Sequence, residues 1–142
     1  MKAYFVKLGV PLSEALEKIK KYHAIIIKPE LGYSEKLLNY SYFIAFKCFR
    51  KKSRSKTLEI EWLEVIACTK SVEKAIEFTK PDGKACIASP VRISGNVLKQ
   101  IGVPYKERKS VEKLAAAYKL KIDKSKVESA VEQRMCLSKM LG

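Results

Sequence analysis

The stretch from Ser34 to Lys51 is the longest periodic segment of the chain, and any fold must accommodate it as a helix. Its apolar and small side chains recur at steps of three and four residues, which places them on one side of an α-helix. They belong to Leu37, Leu38, Ser41, Ile44, Ala45, Cys48 and Phe49. Four further aromatic residues, Tyr40, Tyr42, Phe43 and Phe46, widen this face. The pattern therefore predicts a long helix that is largely buried.

Shorter segments complete the predicted set of helices, and several begin at a residue suited to helix capping. They run from Ser13 to Tyr22, Leu58 to Ala67, Ser71 to Phe78, Gly95 to Ile101, Val111 to Tyr118 and Lys124 to Leu141. Ser13 and Ser71 are the expected N-caps. Ala15, Leu16 and Ile19 should face the core from the first of these helices.

Three short apolar stretches have the length and composition of β-strands. They run from Met1 to Leu8, Ala24 to Lys28 and Lys84 to Ser89, and Val91 to Ile93 either extends the third or forms another. Gly102, Val103 and Pro104 read as a separator between two helices. These elements predict an α+β fold, with a small, mostly antiparallel sheet packed against several helices in a single domain over residues 1–142.

A net charge of +14, from 29 basic and 15 acidic residues, implies a polyanionic partner. The excess is uneven: residues 1–56 carry +9, residues 57–80 carry −2 and residues 81–142 carry +7. A uniform preference for lysine would not leave an acidic middle. Apolar runs too short for a membrane span and the lack of a signal-like start predict a cytoplasmic protein that does not bind membranes.

Two segments are candidate nucleic-acid contacts. Five cations, Arg50, Lys51, Lys52, Arg54 and Lys56, lie close together with Ser53 and Ser55 and no acid between them, which suits phosphate binding. The alternative is a solvated helix end. The second segment is Thr69, Lys70 and Ser71, where backbone N–H groups at a helix start lie beside a cation. The alternative there is an ordinary N-cap.

Signs of catalysis are weak. His23 is the single histidine, and no phosphate-binding glycine motif is present. The spacing of Cys48, Cys68, Cys86 and Cys136 contains no C-x-x-C pair, so these cysteines are interpreted as reduced core residues. Carboxylate pairs such as Glu59 with Glu61, and Glu128 with Glu132, are interpreted as solvated helix faces. No cofactor or metal is expected.

The last predicted helix carries apolar residues on more than one face. Val127, Val131 and Met135 form one stripe, and Ala130, Leu137 and Leu141 lie toward another. One stripe should pack on the sheet and the other should meet a partner, so Val127, Val131, Met135 and Leu137 are candidate partner-binding residues. A fully buried core helix is the alternative.

The segment from Leu58 to Ile76 resembles the small KEOPS-complex subunit that binds the complex's atypical kinase (the TPRKB-like family). In that family a helix of the form V-E-I-L-L-Y is followed by S-G-x-R-Q-I and then by x-x-A-I. Here Ile60-Glu61 stands at V-E, Val72 at the Ile, and Ala75-Ile76 matches directly. Cys68 replaces the usual Gly, Lys70 the Arg and Ser71 the Gln. With Cys68 there, either the turn needs no positive φ or it tolerates some strain.

The resemblance implies a non-catalytic subunit that docks on a small atypical kinase and helps to recruit tRNA by its single-stranded CCA end. The assembly makes threonylcarbamoyladenosine beside the anticodon. Lys70 and Ser71 would then hold the terminal nucleotides. The alternatives are a structural adaptor whose basic charge is incidental and a small enzyme without a recognisable motif.

Overall fold

The computed structural model describes residues 1–51 and 57–140, with side chains for residues 1–50 and 57–139. The strands are β1 (Lys2–Leu8), β2 (Ile25–Ile27), β3 (Lys84–Ser89) and β4 (Gly102–Pro104). The helices are α1 (Leu12–Ile19), α2 (Glu35–Lys51), α3 (Leu58–Ala67), α4 (Val72–Thr79), α5 (Gly95–Ile101), α6 (Val111–Ala117) and α7 (Val127–Met140). Short 3₁₀ turns cover Lys20–Tyr22, Pro29–Gly32 and Lys124–Lys126.

The four strands form one antiparallel sheet in the order β2-β3-β1-β4. Because side chains alternate along each strand, the sheet presents two apolar faces, and helices cover both. Phe5, Ile27 and Cys86 face the layer that contains α2, α3, α6 and α7. Val6 and Ile87 face the layer of α1 and α5. The predicted α+β class is confirmed.

Trp62 anchors α3 in the larger core. Its side chain is fully buried, and its indole N–H donates to Ser41 Oγ of α2 at 2.8 Å. The Ser41 hydroxyl donates in turn to the carbonyl oxygen of Leu38 at 2.7 Å. This arrangement explains why a serine stands within the buried stripe of α2, since a buried indole N–H needs an acceptor.

Strand β4 was missed in the sequence because Gly102 and Pro104 are poor strand formers. It closes the free edge of β1, with Lys7 opposite Val103 and Leu8 opposite Gly102. A Cβ at residue 102 would lie 2.1 Å from the carbonyl oxygen of Lys7, so a residue without a side chain is needed for the two strands to meet. Tyr105 then continues the pairing by donating its N–H to the carbonyl of Phe5 at 3.1 Å.

Several local predictions were wrong. Helix α1 begins at Leu12 after Pro11, so Ser13 lies inside the helix and does not cap it. Leu16 is 42% exposed rather than part of the core, because α1 packs through Ala15 and Ile19. Val91 to Ile93 form no strand, since a bend at Pro90 and Val91 turns the chain away from the sheet.

Candidate nucleic-acid interface

Three phenylalanines of α2 point away from the core, which contradicts the prediction that this helix is largely buried. Phe43 is 55% exposed, Phe46 is 42% exposed and Phe49 is 38% exposed. Helices α3 and α7 cover the stripe that contains Leu37 and Leu38, and the three phenylalanines lie outside that contact. Aromatic surface of this extent on one helix marks a binding face.

Two cations lie on the same surface, which we call the α2 aromatic face (Phe43, Phe46, Lys47, Phe49 and Arg50). Lys47 Nζ is 4.6 Å from the ring centre of Phe43, and the Arg50 guanidinium carbon is 5.8 Å from that of Phe46. Both distances lie within the range of cation–π attraction. A groove of about 510 Å³ adjoins the face, and Lys36, Asn39, Tyr40 and Glu132 of α7 contribute to its lining.

The basic segment begins on this face. Arg50 is exposed in the last turn of α2, and Lys51 ends the helix. The Lys51 side chain and residues 52–56 lie outside the described part of the chain. The phosphate contacts assigned to Lys51, Lys52, Arg54 and Lys56 therefore stay predictions.

The turn between α3 and α4 is built from local hydrogen bonds. Ser71 accepts from the Lys74 N–H at 3.3 Å, so the predicted N-cap is confirmed. The Thr69 hydroxyl accepts from the Ser71 N–H at 3.2 Å. Both hydroxyls thus have partners within the turn, and the exposed Lys70 side chain is the group that projects outward.

Cys68 precedes this turn in a left-handed conformation, with φ 56° and ψ 43°. Its N–H and that of Thr69 bond back to carbonyls of the last turn of α3, which is the usual end of a helix at a glycine. The open question about this position is therefore settled: the turn requires a positive φ, and Cys68 adopts it at a steric cost.

The two predicted contact segments lie at opposite ends of α3. Arg50 and the segment after it precede the start of this helix, and Lys70 follows its end. Ten residues of α-helix span about 15 Å, so no single nucleotide reaches both. An extended strand or a folded RNA is needed to contact the two together.

A cluster of lysines that the sequence did not reveal lies at the edge of the sheet. Lys28 follows β2, Lys80 follows α4, Lys84 begins β3 and Lys113 belongs to α6. These four side chains line a cleft of about 460 Å³, together with Pro29, Glu30, Asp82 and Glu107. We call it the lysine cleft. Its lysines come from four separate elements, so no motif or spacing could have indicated them.

The predicted partner stripe of α7 was wrong in three of its four residues. Val127, Val131 and Met135 are buried in the larger core of this chain, each at most 1% exposed. They point at the sheet and the neighbouring helices because they share one face of α7. Leu137 lies on the other face and is 51% exposed, beside Arg134 and Lys119.

The interpretation of Glu61 as part of a solvated helix face was wrong, since this side chain is buried, as is that of Glu64. Lys139 of α7 reaches both, with Nζ 2.9 Å from Glu61 Oε1 and 3.0 Å from Glu64 Oε1. We call these three residues the triad. Their side chains are almost fully buried, with exposed fractions of 10% for Glu61, 0% for Glu64 and 9% for Lys139. The triad joins α3 to α7.

The other groups with catalytic potential are the single histidine, which pairs with a glutamate, and the cysteines. His23 Nδ1 lies 2.9 Å from Glu59 Oε1 at an exposed position. Burial raises the pKa of Cys68 to about 11 and that of Cys86 to about 12, so both thiols are protonated at neutral pH. All four cysteines are free of disulfides.

Among the residues that the structure describes, no group of three or more His, Cys, Asp or Glu side chains is arranged to hold a metal ion. No helix in that part of the chain has both the length and the apolar composition needed to cross a membrane. Comparison of the sequence with models of protein families and with curated proteins found no match.

Proposed function

We propose that this chain is a non-catalytic, cytoplasmic subunit of a tRNA-modifying assembly that binds tRNA and docks on a small atypical kinase. One observation carries the proposal: most of the cations are not used inside the protein. Among the described residues, Lys124 and Lys139 are the lysines that form ion pairs with carboxylates. Arg134 donates to the carbonyl of Tyr118 and Lys18 to the side chain of Gln100. Most of the other exposed lysines and arginines are available to phosphates, whose contacts dominate RNA affinity.

The resemblance of the segment from Leu58 to Ile76 supports the choice of tRNA and of the threonylcarbamoyladenosine assembly. It also supports a contact of Lys70 and Ser71 with the single-stranded CCA end. Because the Ser71 hydroxyl already caps α4, Lys70 supplies the charge at this site and the nearby backbone supplies further donors.

The α2 aromatic face supports the docking part of the proposal. Buried aromatic and arginine side chains supply most of the binding energy at the centres of protein interfaces. Phe43 and Phe46 are exposed in the isolated chain and lie beside Arg50 and an adjoining groove. This face therefore replaces the buried stripe of α7 as the surface that we assign to the kinase.

Recognition of the tRNA end is tested by removing the CCA nucleotides and by changing Lys70 to Gln. We expect each change alone to weaken binding roughly threefold to tenfold, because each removes a phosphate or base contact. The two changes together should weaken binding no more than either change alone, since both remove the same contact. Filter binding at fixed salt measures all four combinations.

The matched control for this cycle is Lys74→Gln, which removes an exposed cation one turn further along α4. Its effect should be the same on intact and shortened tRNA. Equal affinity of the unmodified protein for both tRNAs would refute recognition of the end. Binding of the kinase without measurable tRNA affinity would instead favour the adaptor.

Docking through α2 is tested with the double substitution Phe43→Ser and Phe46→Ser. We expect the affinity for the kinase to fall by at least tenfold, because two aromatic anchors are lost from the centre of the interface. The affinity for tRNA should be unchanged. Isothermal titration with the purified kinase measures the first quantity, and filter binding measures the second.

Val91→Ser with Ile122→Ser is a matched control for the α2 variant. These two residues are 51% and 45% exposed, compared with 55% and 42% for Phe43 and Phe46, and they lie in loops outside α2. This control should bind the kinase as the unchanged protein does. If both double variants bind equally well, the α2 aromatic face is not the docking surface.

A further inference from the structure

The lysine cleft brings together more cations than acids. Four ammonium groups line it, and among the described residues none of the four forms an ion pair with a carboxylate. Of the three acids in the cleft, Glu107 accepts a hydrogen bond from the Tyr105 hydroxyl. The lysines outnumber the acids, so the cleft favours an anionic ligand.

Exposed cations on the neighbouring loop extend the positive surface. Lys106, Arg108 and Lys109 lie between β4 and α6, and all three are exposed. The pairing of Tyr105 with β1 fixes where this loop begins, and Lys84 Nζ lies 5.3 Å from the ring centre of Tyr105. The three acids of the cleft are thus outnumbered by seven cations in and beside it.

The cleft also continues into hollows on either side. Lys80 lines a second groove with Lys20 and Thr57, and Thr57 directly follows the basic segment that starts at Arg50. On the other side, Lys28 Nζ lies 5.9 Å from the ring centre of Phe78. That ring lines a third groove.

The third groove contains Lys119 and Arg134, and it reaches Cys68 beside the turn of Lys70. All three hollows lie beside α4. This helix contributes Ile76 to the second groove and Phe78 to the third. The hollows therefore form a path beside this helix, with Lys20 and Lys80 in one groove and Lys119 and Arg134 in the other. Glu17 and Glu59 also line the groove of Lys20. The path links the two ends of α3. The basic segment that starts at Arg50 lies at one of these ends, and Lys70 lies at the other.

We propose that the lysine cleft binds the phosphodiester backbone of an RNA strand, at the middle of this path beside α4. The proposal rests on the function proposed above and locates a contact that neither basic segment supplies. Lysines suit such a site because each offers a point charge on a flexible stem, which tolerates variation in the strand it contacts.

The test is the double variant Lys80→Gln with Lys113→Gln, measured by tRNA binding across a series of salt concentrations. For these two side chains, no hydrogen bond, ion pair or ring contact is seen within the described residues, so folding should be unaffected. We expect affinity to fall roughly tenfold and the slope of log K against log salt to decrease by about 1–2, since two phosphate contacts are lost.

The control removes the same charge elsewhere, by Arg92→Gln with Lys99→Gln on and beside α5 in the opposite layer. It should leave affinity and slope close to those of the unchanged protein. If the unchanged protein binds tRNA and the cleft variant shows the same salt slope, the cleft proposal alone is overturned. Absence of tRNA binding by the unchanged protein would overturn the proposed function itself.

Discussion

Replacing Lys139 with Met should lower the free energy of unfolding by about 3–5 kcal/mol at pH 7, because it leaves two buried carboxylates without their cation. Lys139 Nζ is the donor to both Glu61 at 2.9 Å and Glu64 at 3.0 Å, and all three side chains are almost fully buried. Denaturant unfolding at pH 7 measures the loss.

A triple variant, Glu61→Met, Glu64→Met and Lys139→Met, is the control. It removes the charges together and should recover most of the stability, because well-packed apolar residues often replace a buried ion cluster at little cost. A single variant as stable as the unchanged protein at pH 7 would contradict this account of the triad.

The stability of the unchanged protein should fall at the alkaline end of the pH range. Burial alone would lower the pKa of Lys139, but hydrogen bonds and charges from Glu61 and Glu64 outweigh it and raise the pKa above 10.5. A pKa raised by folding stabilises the protein fully below the unfolded-state value, and the contribution is lost as the pH rises through the folded-state pKa. The joint between α3 and α7 should therefore weaken in strong alkali.

Gly102→Ala should destabilise the protein by about 3 kcal/mol, although it adds a single methyl group. The new Cβ would lie 2.1 Å from the carbonyl oxygen of Lys7 and 2.9 Å from its carbonyl carbon. These are backbone atoms of a paired strand, so β4 must move away from β1 to relieve the contact. The midpoint of denaturant unfolding measures the change.

Gly95→Ala is the matched control, because a Cβ at that position of α5 has nothing within 4 Å. This variant should be as stable as the unchanged protein or more so by about 0.5–1 kcal/mol, since alanine is the better helix former. If the two alanine variants unfold at the same denaturant concentration, Gly102 is not required for the pairing of β4.

Much of the fold was predictable because local signals agreed with the tertiary structure. The bounds of α3, β3 and α5 are those predicted, and each has a capping or turn residue at an end, such as Thr57 before α3. Strand β4 was not predictable in this way. Gly102 and Pro104 have little strand propensity, and the strand pairs because Gly102 permits a close approach to β1.

The features of the candidate sites depended on long-range contacts, which a single sequence does not reveal. Glu64 and Lys139 are 75 residues apart, so the pattern of glutamates on α3 resembled an ordinary solvated face. The aromatics of α2 looked like core residues, because apolar periodicity does not show which stripe the neighbouring helices cover. The lysine cleft required the edges of four elements to meet.

The left-handed conformation of Cys68 is shared by His23 and Lys119, which have φ values of 56° and 55°. Each of the three follows the end of a helix or 3₁₀ turn, where glycine would adopt the left-handed conformation without steric cost. A side chain at such a position sacrifices about 1 kcal/mol of stability. The protein can therefore be stabilised at these three positions. Glycine at each of them should raise the melting temperature by a small step without changing the fold.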